Sequence, residues 1–239
     1  MKKAMQKQTI RLAGLLLLAL AAWPGAMPQA QSQTKANPYP TMAPLDQYLI
    51  ADKTAEIALA RSAAPPAVSD GAEVLVLTPD GYKTAAKGGN GFTCLVVRSW
   101  ATETDSPDFW NTKFRAPHCL NAAATRSYLP IYLLRTKLAL AASSRADIGQ
   151  AVKSAFDKKE FPELEPGAMC YMMSKQQYLN DRGKSWRPHL MWYVAGDVAP
   201  KWGANLDGSP VLAANVPQDR MTIFMVPVAN WSDGTPGPQ

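Results

Sequence analysis

A helical stretch followed by short apolar runs, with turn residues between them, covers residues 45–98. Residues 45–64 are rich in helix formers and end at two prolines, which predicts an N-terminal helix. Three strand-like runs follow, near residues 73–77, 82–86 and 92–98. The PDG and GGNG segments between them contain the residues that tight turns favour, so we predict a β-meander.

The middle of the chain has a helical pattern. Residues 121–142 can begin at Asn121 as an N-cap, and Pro130 either kinks one helix or starts a second one. The next helix begins with a capping-box pattern from Ser144 to Asp147 and carries one apolar stripe. This segment therefore predicts two or three helices.

The last third returns to strands. Its short apolar runs are bounded by Gly, Pro, Asn and Asp and lie at 168–173, 189–194, 210–214 and 221–228. The order of elements predicts an α+β fold. An antiparallel sheet, built from the N-terminal β-meander and the C-terminal strands, would pack on the central helical segment.

The first thirty residues have the order of a secretory signal peptide. Four basic residues precede an apolar run from Leu12 to Ala22, and small residues follow. The run is shorter than the roughly 20 residues that span a bilayer, so we expect cleavage, after Ala26 or Ala30, and no membrane-spanning segment in the mature chain.

The mature chain would then have three parts. Residues 31–44 are polar and proline-rich and predict a flexible lead-in. Residues 45–231 predict a single α+β domain, and residues 232–239 predict a disordered tail.

The net charge gives no reason to expect a nucleic-acid partner. The whole chain has 25 basic and 19 acidic residues, for a net charge of +6. Removing the four basic residues of the leader leaves 21 basic against 19 acidic residues, which is +2. A nearly neutral surface lacks the clustered Lys and Arg that nucleic-acid binding requires.

His189 begins one of the predicted strands and is one of two histidines in the chain. Strand alternation puts His189, Met191 and Tyr193 on one face, while the opposite, apolar face would pack on helices. One interpretation is a structural histidine at a strand end. The other is that the imidazole and the Tyr193 phenol line a cleft.

Tryptophans beside loop residues are the other signal for binding, because an exposed indole can stack on a flat ligand. An alternative is that the indoles only cover the core. The candidate ligand-binding residues are Trp186, Arg187, His189 and Trp202.

Three cysteines, Cys94, Cys119 and Cys170, predict one disulfide and one remaining thiol in an exported protein, with the pairing open. If Cys119 is free, it lies close to the predicted helix start at Asn121, which would lower its pKa. With His189 as base it would then give a thiol-dependent enzyme or hydrolase.

His118 completes the catalytic candidates, which are His189, Cys119, His118 and Tyr193. We predict no metal and no cofactor, because adjacent residues such as His118 and Cys119 do not usually face one ion and no CxxC or HExxH spacing is present. Nucleophile-elbow, P-loop and Rossmann patterns are also absent.

Several segments resemble a group of bacterial exported proteins to which no activity is attached; they are GFTCLVVRSW, EPGAMCYMMSKQQYLND, RPHLMWY and WGANLDGSP. The resemblance covers roughly residues 45–235 and implies a periplasmic or secreted location. With no catalytic pattern, the expectation is a ligand-binding or protein-interaction module whose partner is a small molecule or an envelope protein. The alternative is the periplasmic enzyme that uses His189 with Cys119.

Overall fold

Eight strands and five α-helices form within residues 37–238, the part of the chain that the computed structural model describes. The helices are α1 (Lys53–Arg61), α2 (Pro66–Ser69), α3 (Ala122–Ser127), α4 (Leu129–Leu140) and α5 (Arg145–Asp157). The strands are β1 (Glu73–Thr78), β2 (Gly81–Ala86), β3 (Thr93–Val97), β4 (Ala116–Leu120), β5 (Met169–Met172), β6 (His189–Ala195), β7 (Leu212–Val216) and β8 (Met221–Pro227). The predicted signal peptide lies outside the described residues.

The strands join one mixed sheet in the order β2-β1-β3-β4-β5-β6-β8-β7. Neighbouring strands are antiparallel, apart from the parallel pair β1 and β3. Helices pack on both faces of this sheet. The predicted α+β class is confirmed.

The two faces of the sheet have separate cores. On the face that we call the α4 face, Leu95 and Leu120 pack with residues of α3, α4 and α5. On the opposite face, the α1 face, Val74 and Val96 pack against Ala60 of α1. Because side chains alternate along each strand, neighbouring residues of β3 and β4 belong to different cores.

The three N-terminal strands form as predicted, but they are not a β-meander. β3 pairs with β1 in parallel instead of pairing with β2. The GGNG segment crosses the end of β1, where Gly89 donates its N–H to the carbonyl of Gly71. A side chain at Gly88 would meet the backbone of Glu73, so glycine permits this crossing.

The helix predicted over residues 45–64 begins later than expected. A short 3₁₀ turn covers Leu45–Gln47, and α1 starts after Asp52, whose side chain accepts a hydrogen bond from the N–H of Thr54. The carbonyl of Tyr48 accepts from Arg98 Nε at 2.7 Å. The Tyr48 carbonyl thus makes a tertiary hydrogen bond in place of a helical one, and the helical pattern is interrupted at this residue.

The middle helices agree with the sequence. Asn121 caps α3 through a hydrogen bond from the N–H of Ala124, and Pro130 lies in the first turn of the separate helix α4. Ser144 and Asp147 form the predicted capping box of α5. No helix among the described residues is long and apolar enough to cross a membrane.

Strand β4 was not predicted. Its residues are buried along their whole length between β3 and β5. The strand is short and contains Pro117, which is uncommon within a strand. Because both of its faces are covered, its sequence also lacks the alternation of polar and apolar residues that predicts a strand.

Both ends of the described chain, from the predicted lead-in and the predicted tail, contact the domain. Tyr39 and Met42, from the predicted lead-in, pack on a third cluster that contains Trp100 and Phe109. In the predicted tail, the N–H of Ser232 donates to the carbonyl of Met173 at 3.0 Å. Residues 37–44 and 232–238 therefore pack on the same compact unit as the sheet.

Candidate functional site

A cavity of about 490 Å³ lies on the α4 face of the sheet and contains both histidines of the chain. We call it the histidine pocket. Its floor includes His118 of β4, Met172 of β5 and His189 of β6. Its volume lies within the range of roughly 300–1,000 Å³ that is usual for small-molecule sites.

A loop between β5 and β6 covers part of the histidine pocket. The backbone of Tyr178 pairs with that of Arg115 through two hydrogen bonds of 2.8 Å, which anchors the start of this cover, residues 179–186. The side chain of Asn180 then accepts from the backbone N–H groups of Arg182 and Gly183, which shapes its turn. Trp186, at its end, lines the pocket.

His118 is buried at 4 % exposure, yet both of its ring nitrogens lack a hydrogen-bond partner among the described residues. Its ring stacks on Tyr132 of α4, with centroids 5.8 Å apart and planes 11° apart. Burial lowers the pKa of His118 to about 3, and the nearby His189 adds to the shift. The ring is therefore neutral at neutral pH, with one N–H and one lone pair unused.

His189 is buried at 2 % exposure, and its Nδ1 lies 2.8 Å from the backbone carbonyl of Arg187. Because a carbonyl can only accept, Nδ1 carries the proton and Nε2 carries the lone pair. Burial lowers the pKa of His189 to about 4, although the hydrogen bond to Arg187 opposes the shift. The indole of Trp186 meets the imidazole edge-on, with centroids 4.5 Å apart.

Of the predicted ligand-binding set, Trp186 and His189 lie together, and Arg187 contributes through its backbone only. The Arg187 side chain is exposed and does not line the histidine pocket. Trp202 lies on the α1 face of the sheet, stacked on Phe224 with centroids 4.3 Å apart. Trp186 and Trp202 therefore do not share a site.

Cys119 does not carry a free thiol. It lies opposite Cys94 in the β3–β4 register, and the two form a disulfide. Strand alternation also turns Cys119 to the α1 face, away from His118 and His189. The pairing of Cys119 with His189 in a thiol-dependent site is not found in this structure.

Tyr193 shares the strand face of His189 but lies outside the histidine pocket. Its hydroxyl donates to Cys170 Sγ at 3.0 Å, and the side chain is buried in the main core. The face of β6 expected to pack on helices is instead the more open one, since Leu190 and Trp192 are half-buried. The helices α3–α5 cover the face with His189, Met191 and Tyr193.

Methionines of the histidine pocket were not recognised from the sequence. Met172, Met191 and Met225 line it from β5, β6 and β8. Their signal was present in the strand alternation: Met191 shares the face of His189 two residues away, and Met172 lies opposite His189 in the register. His118 could not be placed beside His189 from the sequence, because β4 and the order of the strands were not predicted.

Charge is absent from the lining of the histidine pocket. Within residues 37–238, no Asp, Glu, Lys or Arg contributes to it. The same part of the chain contains no group of three or more His, Cys, Asp or Glu side chains that could hold a metal ion. A ligand of this pocket therefore meets imidazoles, thioethers, apolar groups and uncharged polar side chains such as those of Thr102 and Asn180.

A second cavity of similar volume lies beside α5 and differs in chemistry. Two of its charged side chains already have partners: Arg220 pairs with Asp157, and Asp219 accepts from Arg135 at 2.7 Å. The histidine pocket, with an unpaired buried ring, is the better candidate for binding.

No family model, no curated protein and no solved structure matches this chain.

Proposed function

We propose that the protein is an exported binding protein that holds a small ligand in the histidine pocket. The observation that supports this most directly is the buried ring of His118, whose nitrogens have no partner among the described residues. Leaving a buried polar group unpaired costs about 1–3 kcal/mol. A ligand that pairs with His118 would remove this penalty.

Binding is favoured over catalysis by the surroundings of the two rings. Within the described residues, His189 hydrogen-bonds only the Arg187 carbonyl and His118 bonds nothing. A nucleophile or a carboxylate that orients the base is the usual mark of a catalytic imidazole. The disulfide removes Cys119, and Tyr193 is occupied by Cys170.

Native mass spectrometry of the protein, expressed with its leader and recovered from the export compartment, tests the proposal. We expect extra mass on the wild-type polypeptide, its loss in His118→Leu, and its retention in Trp202→Phe, which alters the other face of the sheet. The same preparation gives a second readout, the imidazole NMR signals of His118 and His189. Three added probes are then compared: the soft monovalent ions Cu(I) and Ag(I), and 2-naphthol, a flat aromatic alcohol. If the polypeptide is bare and none of the three shifts these signals, the proposal is overturned.

A further inference from the structure

We propose that the ligand of the histidine pocket is a soft monovalent metal ion, copper(I), bound by His118, Met172 and His189. This rests on the proposed function, because it names the ligand class of the same pocket.

The register brings the three side chains into one row. Met172 is opposite His189 in the β5–β6 pair. Cys119 is opposite Tyr171 in the β4–β5 pair, and continuing that register by one residue places His118 beside Met172. Directly opposite residues share a face with their Cβ atoms about 5 Å apart, so one histidine flanks Met172 on each side.

A second row supplies further thioethers. Met191 lies two residues along β6 from His189 and therefore on the same face. It is opposite Met225 of β8, and both side chains line the histidine pocket. Two imidazoles and three thioethers thus surround one space.

The protonation of His189 suits a metal ligand. Its Nδ1–H donates to the carbonyl of Arg187 at 2.8 Å, which leaves the lone pair on Nε2. Metal-binding histidines commonly make this contact, because it fixes the ring and its tautomer. His118 has a lone pair available as well, since neither nitrogen is bonded within the described residues.

The donor set selects among metal ions. Calcium and magnesium require several oxygen ligands, and zinc sites use thiolates, imidazoles or carboxylates. The lining of the histidine pocket contains neither a carboxylate nor a cysteine. Thioether ligands select copper(I), and a single positive charge is easier to bury among neutral donors than a double one.

An anaerobic titration tests the proposal on the protein recovered from the export compartment, after a chelator has removed any metal already bound. Cu(I) is supplied as its acetonitrile complex with ascorbate, and binding is followed by competition with the chromophoric chelator bicinchoninate. We expect one equivalent of bound Cu(I). Met172→Leu preserves volume and should still fold, yet it should weaken binding by about tenfold or more. His118→Leu and His189→Leu should do the same.

Two controls separate the pocket from other soft donors. Met173 is buried beside Met172 in the chain but does not line the histidine pocket, so Met173→Leu should leave the affinity unchanged. Cys170→Ser tests the free buried thiol and should also have no effect. Unchanged affinity in Met172→Leu, or loss of binding in Cys170→Ser, would overturn the copper(I) site.

The failure of this inference differs from that of the proposed function. If Cu(I) is not retained but 2-naphthol shifts the ring signals of His118, the pocket binds an organic molecule and only the copper(I) proposal falls. If the polypeptide is bare and none of Cu(I), Ag(I) and 2-naphthol binds, both proposals fall.

Discussion

His118 and His189 flank Met172 on the floor of one pocket, although helices α3–α5 lie between them in the chain. Neither ring has an ionic partner within the described residues, because no charged side chain lines the pocket. Their environment therefore favours the neutral form of both rings. Since acid protonates histidine, each ring makes the folded protein less stable at low pH.

The free energy of unfolding of the metal-free protein should fall as the pH falls. The pKa is about 3 for folded His118 and about 4 for folded His189. An unfolded histidine titrates near 6.5, so the unfolded chain binds protons that the folded chain excludes. Stability is complete above about pH 6.5 and falls toward pH 4 by about 1.4 kcal/mol per pH unit for each ring.

Urea unfolding between pH 7.5 and pH 4.5 measures this dependence. Replacing both histidines by leucine removes the two titrating groups, so the double variant should show a shallower slope. Equal slopes in wild type and variant would contradict the prediction.

Cys170 should be unreactive in the folded protein. Its thiol is fully buried, and burial raises its pKa to about 12, although the hydrogen bond from Tyr193 opposes the shift. The reactive thiolate is therefore absent at neutral pH. We expect no maleimide labelling of the native protein at pH 7.5, one label per chain after unfolding, and three after unfolding with reduction. Rapid labelling of the native chain would exclude this arrangement.

Local patterns were sufficient for most elements and for part of the site. Caps such as Asn121 and Ser144 act within one helical turn, so the sequence alone located α3 and α5. Alternation in β6 likewise put His189 on a single face with Met191 and Tyr193. Both signals depend on neighbours in the chain.

The parts that were wrong or missed depend on distant contacts. Cys119 could be assigned to a disulfide only once β4 was placed beside β3 in register with Cys94. Trp186 and Trp202 have similar loop contexts, but the strand order puts them on opposite faces of the sheet. Tyr48 interrupts a helical sequence because its carbonyl bonds Arg98, far along the chain.

The buried pair of Glu56 and Arg98 should be sensitive to the loss of either partner. Their side chains are 1 % and 0 % exposed, and Glu56 Oε1 lies 2.9 Å from Arg98 Nη2. The same oxygen accepts from the N–H of Leu77. Glu56→Gln leaves a buried guanidinium without its counter-charge, which should lower the free energy of unfolding by about 3–5 kcal/mol.

Chemical denaturation measures that loss, and the chain offers an exposed pair for comparison. Arg126 and Glu165 make a salt bridge with side chains 61 % and 36 % exposed. Exposed pairs are screened by water and salt, so Glu165→Gln should change stability little. A similar effect of both substitutions would show that the burial of Glu56 is not the cause.

Gly88 should be the position where the smallest substitution disrupts the crossing between β2 and β3. A Cβ atom there would lie 2.0 Å from the backbone nitrogen of Glu73, and neither backbone segment can rotate away as a side chain would. Gly88→Ala should therefore lower the free energy of unfolding by about 3 kcal/mol, at the upper end of overpacking effects.

The adjacent Gly89 provides the matched control. A Cβ atom at Gly89 would have nothing within 4 Å, so Gly89→Ala should be close to neutral. Thermal unfolding of the two variants compares one added methyl group at neighbouring positions. If Gly88→Ala unfolds with the wild-type midpoint, the GGNG segment does not cross β1 as closely as described, and a conventional hairpin between β2 and β3 would have to be reconsidered.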